Sequence, residues 1–293
     1  MEVASNEWFT GLVDLVKSAP SYKPTSTDRI SEDGKSIICT VCGQVKRELR
    51  DSELFEDWWV PVNGGCDCER AKAEAEKQKN IRESFMNFWN GKKYLDLLGK
   101  RYEHVTFDDL KEIDNKSWQT ARKACKDYVD SIEICLAKGY GMYLCSPQAG
   151  NGKTTLLACV RNALIEKQVR CVFINYTDLV SLASDRGNEN ASTVLSFNGL
   201  MSVDVLLIDD IGAEDLRKNA NRGSWINGFL YELLDNRYKD CLCTLFSSNY
   251  SIRQLQDLRG YDFKTCDRIN GASSKAYMIT GDSIRGEAWE IGR

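Results

Sequence analysis

The chain has 293 residues, 42% of them hydrophobic, and its 39 basic and 43 acidic side chains leave a net charge of −4. That is enough apolar material for one large and one small domain, and the negative balance excludes attachment to nucleic acid by bulk charge, leaving only a local basic strip. No apolar run approaches the roughly eighteen residues of a membrane span, Met1-Glu2-Val3-Ala4 does not open a secretory signal, and twelve cysteines go with these features, so a reducing, cytoplasmic setting without a membrane partner is expected.

In chain order, Asn6 to Val16 comes first, with Trp8, Phe9, Leu12, Val13, Leu15 and Val16 at helical spacing. A Ser/Pro/Thr stretch from Ser18 to Thr27 ends this amphipathic helix, which is expected to dock on a partner or on the module that follows. Cys39-Thr40-Val41-Cys42-Gly43 is a C-x₂-C knuckle, and Cys66-Asp67-Cys68 returns after 23 intervening residues beside Gly64-Gly65. Two close thiolate pairs match a closed, tetrahedral Zn²⁺ site held by Cys39, Cys42, Cys66 and Cys68, although the second pair is C-x-C. Redox chemistry at Cys39/Cys42 is the rival, disfavoured by the lack of a thioredoxin-like βαβ setting. Trp58 and Trp59, between the pairs, form a mini-core or present one ring to a partner.

Glu69 to Lys79 is rich in Ala, Glu and Lys and reads as a solvated helical connector continuing to Phe85, Phe88 and Trp89. The basic residues recurring from Arg70 to Arg101 read as a solvated face, with a nucleic-acid strip as the minority reading. His104, the sole histidine, receives no chemistry. The organisation expected is therefore an N-terminal helix and zinc module (1–68), a charged connector (69–100) and a nucleotide-binding domain (101–293).

Met142 to Cys145 is a short apolar run, followed by Ser146-Pro147-Gln148-Ala149-Gly150-Asn151-Gly152-Lys153-Thr154-Thr155 and an apolar helix start. Strand, glycine loop, Lys-Thr and helix is the arrangement of a phosphate-binding P-loop, in which backbone N–H groups and the helix N-terminus cradle phosphate oxygens. Gly150, Asn151, Gly152, Lys153, Thr154 and Thr155 are the expected nucleotide contacts, with Lys153 on the β/γ phosphates and Thr154 on Mg²⁺. Pro147 stands where the strict pattern has glycine; it offers no N–H, so the loop mouth must differ. Cys171 to Ile174 and Asp178 to Leu182 supply one βα unit. Val203 to Ile208 is then a buried-strand signature ending in Asp209-Asp210. Carboxylates there sit where open α/β sheets bind ligands. Asp209 is placed for the Mg²⁺ shell and Asp210 to polarise an attacking water; the bland reading is two acids capping a core strand.

From Arg101 onward these motifs resemble the AAA+ ATPases of the DnaC/DnaI-type replicative helicase loaders and their relative, the IstB transposition ATPase. The resemblance rests on Leu206-Leu207-Ile208-Asp209-Asp210-Ile211-Gly212, Leu233 to Tyr238, Cys243 to Asn249, Asp267-Arg268-Ile269 and Gly281-Asp282-Ser283-Ile284-Arg285. It implies a five-stranded parallel sheet flanked by helices, with Asn249 as a polar sensor of the γ-phosphate, Arg268 as an arginine finger acting on a neighbouring subunit, and Arg285 in the late Gly-x-Ser-x-Arg motif. For Arg268 the alternative is a surface arginine paired with Asp262 or Asp267. Few residues follow Arg285, so no full helical lid is expected. The resemblance further implies an ATP-dependent loader that engages a hexameric replicative helicase, binds single-stranded DNA and self-associates through its ATPase domain. An IstB-like transposition ATPase and a nucleotide-sensing adaptor with little turnover stay open. Asp210 is one methylene shorter than the glutamate often used to activate water, so hydrolysis is expected to be slow.

Overall fold

A computed structural model describes residues 24–50, 58–92, 96–184 and 198–283. The expected helix at Asn6 to Val16 and the residue Arg285 lie outside them. The chain divides into two compact units, Met1–Ile81 and Arg82–Arg293.

In the first unit four short strands, β1 (Asp28–Ile30), β2 (Ser36–Cys39), β3 (Val45–Arg50) and β4 (Trp58–Pro61), form an antiparallel sheet in chain order. β2 turns Ile37 and Cys39 inward and alternates with half-buried neighbours, the period of two that a one-sided sheet requires. Trp59 on β4 is half-buried. The helix α1 (Asp67–Lys92) begins inside the second cysteine pair and includes Cys68. From Arg70 through Ser84 it is exposed, as its Ala/Glu/Lys composition dictates, before Phe85 and Phe88 become buried.

The second unit carries the expected parallel sheet. β5 (Gly141–Cys145), β6 (Cys171–Asn175), β7 (Val205–Asp209), β8 (Cys243–Ser248) and β9 (Ser273–Met278) lie in the order β6-β7-β8-β5-β9, all neighbours parallel. Helices α2 (Lys116–Asp130), α3 (Ile132–Lys138), α4 (Lys153–Glu166), α5 (Tyr176–Ser184), α6 (Ala220–Lys239), α7 (Ile252–Arg259) and α8 (Phe263–Ala272) connect and cover the strands. β5, β6 and β7 are apolar almost throughout, without alternation, because both faces are packed. Tyr143, Leu206, Ile208 and Phe246 join Leu179, Ile226, Leu230 and Ile269 in one core layer. Leu144, Val205, Leu207 and Leu245 join Trp118, Leu156, Val160 and Leu164 in the other.

Arg237 on α6 is fully buried with no carboxylate among its hydrogen-bond partners. Its guanidinium donates to Thr244 Oγ1 at 3.0 Å and to the carbonyls of Leu200, Val203 and Cys243, so one planar fork ties the approach to β7 to the start of β8. Burial lowers its pKa to about 10. The guanidinium thus adds to the backbone bond from the Cys243 N–H to the Asp204 carbonyl at 3.0 Å.

Candidate functional sites: a phosphate loop and a four-cysteine cluster

The phosphate loop grows out of β5. Gly150 and Gly152 adopt left-handed φ values of 87° and 78°, which turn the chain sharply into α4 at Lys153. Pro147 is accommodated at the start of the loop, between Ser146, whose N–H donates to the Ser248 carbonyl at 3.0 Å, and Gln148. Helix α4 therefore presents its first-turn N–H groups at the carboxyl end of the sheet, where parallel α/β folds place ligands.

Around this loop the side chains form one connected network. Lys153 Nζ donates to Asn249 Oδ1 at 2.9 Å and to the Gln148 carbonyl at 3.4 Å. Asn249 Nδ2 donates in turn to Asp210 Oδ1 at 3.2 Å. Thr154 Oγ1 donates to the Asp209 carboxylate at 2.9 and 3.2 Å, and the Ser247 hydroxyl donates to the same carboxylate. Burial raises the Asp209 pKa, while the Ser247 and Thr154 hydroxyls pull it back. Asp210 leaves the strand with φ 61°, an uncommon region for a non-glycine residue, and its N–H donates to Ser247 Oγ at 2.9 Å. Asn151 Nδ2 donates to the Gly281 carbonyl at 2.9 Å, whereas its buried Oδ1 has no partner among the described residues.

Gly150 to Thr155, Asp209, Asp210 and Asn249 are thus gathered at one end of the sheet. The oxygen set of Thr154 and Asp209 fits a hard divalent cation such as Mg²⁺. Arg268 lies outside this network. Its Nε donates to Asp235 Oδ1 at 2.7 Å and its Nη1 to Asp267 Oδ2 at 3.1 Å, with the guanidinium over the rings of Tyr231 and Tyr238. Asp267 was an expected partner; Asp235, on α6, is one that sequence separation hides.

In the first unit the sulfur atoms of Cys39, Cys42, Cys66 and Cys68 all lie within 4.8 Å of one another. Four ligands at a Zn–S distance of about 2.3 Å stand roughly 3.8 Å apart, so the cluster fits Zn²⁺ with slight contraction. The knuckle forms because Gly43, at φ 74°, lets its N–H reach the Cys39 carbonyl at 2.9 Å. The Cys42 backbone N–H draws the Cys39 thiol down to about 7, while the hydrogen bond with Cys42 pushes Cys68 up to about 12. Four thiols so close cannot all ionise without a cation among them. A further latch was not legible in the sequence. Gln44 Nε2 donates to Asp67 Oδ2 at 2.7 Å and Gln44 Oε1 accepts the Asp67 N–H at 2.8 Å, which joins the two cysteine pairs independently of metal.

We expect one Zn²⁺ per chain, with chelation unfolding the first unit alone, because thiolate sites couple metal binding to folding and the second unit has its own two-layer core. Elemental analysis combined with circular dichroism checks this. Less than about half an equivalent of metal in fresh protein counts against the site.

No family model matches the chain. The replicative helicase loader DnaI of Bacillus subtilis is 28% identical over 195 residues, a match covering 65% of this chain and 55% of that protein. The chain thus matches little more than half the length of that relative. The replicative helicase loader DnaC of Buchnera aphidicola (subspecies Baizongia pistaciae) is 24% identical over 254 residues, covering 86% of this chain and 94% of that one. Among solved structures, the DnaC helicase loader superposes with a TM-score of 0.52 at 22% identity, over 62% of this chain and 99% of its own. In sequence the chain is similar to the DnaC/DnaI-type replicative helicase loaders, and its second unit has the AAA+ ATPase fold.

Proposed function

We propose that the chain is a Mg-ATP-dependent loader of a hexameric replicative DNA helicase onto single-stranded DNA, acting in the cytoplasm and self-associating through its ATPase domain. We assign residues 1–68 to an N-terminal helix and zinc module, 69–100 to a connector and 101–293 to the ATPase domain. The observation that carries the catalytic part is the unbroken line Lys153–Asn249–Asp210 beside Thr154–Asp209. Lys153 Nζ donates to Asn249 Oδ1 and the Gln148 carbonyl. The γ-phosphate of ATP would compete for Lys153 and free Asn249 to hold the attacking water against Asp210.

Thr154 and Asp209 would hold Mg²⁺, which when bound offsets the charge of the phosphates. Asp210 would take the proton of the attacking water. Its backbone is fixed by Ser247 and its carboxylate by Asn249, so the base is positioned before substrate arrives. Arg285, outside the described residues, is assigned to the same nucleotide by the late Gly-x-Ser-x-Arg motif that begins at Gly281.

The helicase assignment draws on the printed roles of the relatives. It is tested by co-purification from the native host, with and without ATP. Recovery of the replicative helicase supports the loader; recovery of a transposase instead selects the IstB-like reading, and ATP binding without turnover selects the adaptor.

A further inference from the structure

The corner between α7 and α8 grips the turn that follows Asp210. Arg259 Nε donates to the Gly212 carbonyl at 2.9 Å, and its Nη2 donates to the Ala213 carbonyl at 2.6 Å. Two residues on, the Tyr261 hydroxyl accepts the Gly212 N–H at 3.0 Å. Both polar backbone groups of Gly212 are therefore held by one corner. The Arg259 guanidinium also lies over the Tyr250 ring, 4.9 Å from its centroid, directly after Asn249. One side chain thus bridges the ends of β7 and β8, the two strands that deliver Asp210 and Asn249.

The corner is itself anchored. Asn227 of α6 donates to the Gly260 carbonyl at 3.0 Å and accepts the Asp262 N–H at 3.0 Å. Asp262 then caps α8 through the Thr265 N–H at 2.7 Å, and α8 carries Arg268. Against α7 the turn has apolar contact as well, since a Cβ at Gly212 would meet the Leu255 side chain at 2.4 Å, but its polar hold on that helix is the Arg259 guanidinium. Ile211 is bound to β8 through the Ser247 carbonyl and the Ser248 hydroxyl, and beyond it Gly212 takes φ 92°, a conformation that glycine adopts without steric cost.

We propose that Arg259 is a positioning residue that holds the turn from Asp210 to Ala213, and with it the Asp210 carboxylate, against the α7–α8 corner. It touches no phosphate-loop group itself and acts through the backbone of Gly212 and Ala213. Its effect on turnover rests on the hydrolysis reading above; its effect on the turn does not.

The test uses the full chain with Arg259→Gln, which keeps a neutral donor, and Arg259→Lys, which keeps the cation over Tyr250 but not the two-pronged donation. In Arg259→Gln the amides of residues 211–213 should exchange with deuterium about tenfold faster, while those of β5 and α4 stay unchanged. ATP affinity should stay within about threefold and turnover should fall at least about tenfold, because a displacement near 1 Å of a catalytic group costs rate rather than binding. Arg259→Lys should recover part of both effects. Unaltered exchange at 211–213, or unaltered turnover in a variant whose turn has loosened, overturns the positioning role. A wild-type chain that binds ATP without turnover refutes hydrolysis alone, and the exchange measurement still decides the role of Arg259.

Discussion

Lys153→Ala is expected to remove nucleotide binding while leaving the protein folded. Lys153 is the first residue of α4 and is not a member of either apolar core layer. Its cation is held at the mouth of the phosphate loop by Asn249 and Gln148, where it can transfer to phosphate oxygens without rearrangement of the backbone. Two or more charge-assisted hydrogen bonds to phosphate are lost in the variant, at about 1.5–3 kcal/mol each, so affinity should drop by at least roughly 10²-fold. Melting should change by only a few degrees. Equilibrium binding of a fluorescent ATP analogue, read beside a thermal scan, checks both halves. An affinity within a few-fold of wild type would refute the phosphate-loop assignment despite the Gly-Asn-Gly-Lys-Thr-Thr match.

Arg268→Ala is expected to suppress ATP hydrolysis by about 10³–10⁵, the range supplied arginine fingers reach in other nucleotidases. In a single chain Arg268 is occupied, bonded to Asp235 and Asp267 and stacked over two tyrosines. A role in trans therefore needs a neighbouring nucleotide to compete with the Asp235 carboxylate, which phosphate charge is suited to do. Mixing separates this from a surface ion pair. Arg268→Ala and Lys153→Ala should each be inactive alone and regain part of the activity together, since some interfaces then pair an intact loop with an intact finger. A pair whose only task is within the chain predicts a small loss of activity in Arg268→Ala and no recovery on mixing, provided the mixed proteins co-assemble.

How much of this was legible in the sequence depends on how local the cause is. β5, β6, β7 and their helices announce themselves because a strand buried on both faces must be continuously apolar, and Met142–Cys145, Cys171–Ile174 and Val205–Ile208 are. Gly150 and Gly152 mark the loop because only a left-handed turn joins that strand to α4 so tightly. β9 was hidden because Ser273–Met278 is an edge strand with mostly exposed side chains, paired to β5 on one side only. The sheet of the first unit was hidden for a similar reason, its strands being three to six residues long and only partly buried. The cysteine cluster could be read from spacing, whereas the Gln44–Asp67 latch beside it could not, since a glutamine carries no sign of its partner. The same holds for Arg237, Arg259 and the Asp235 partner of Arg268. Each acts across 6 to 47 residues of sequence through groups that only the fold brings together.

The measurement that bears most directly on the account is loading of the host's replicative helicase onto a closed circular single strand, which offers the ring no free end to thread. With this chain and Mg-ATP present, helicase retained on the circle should rise at least about tenfold over helicase alone. Lys153→Ala should abolish the gain. Equal retention with and without the chain, under conditions where the helicase is active on linear DNA, would contradict the assignment.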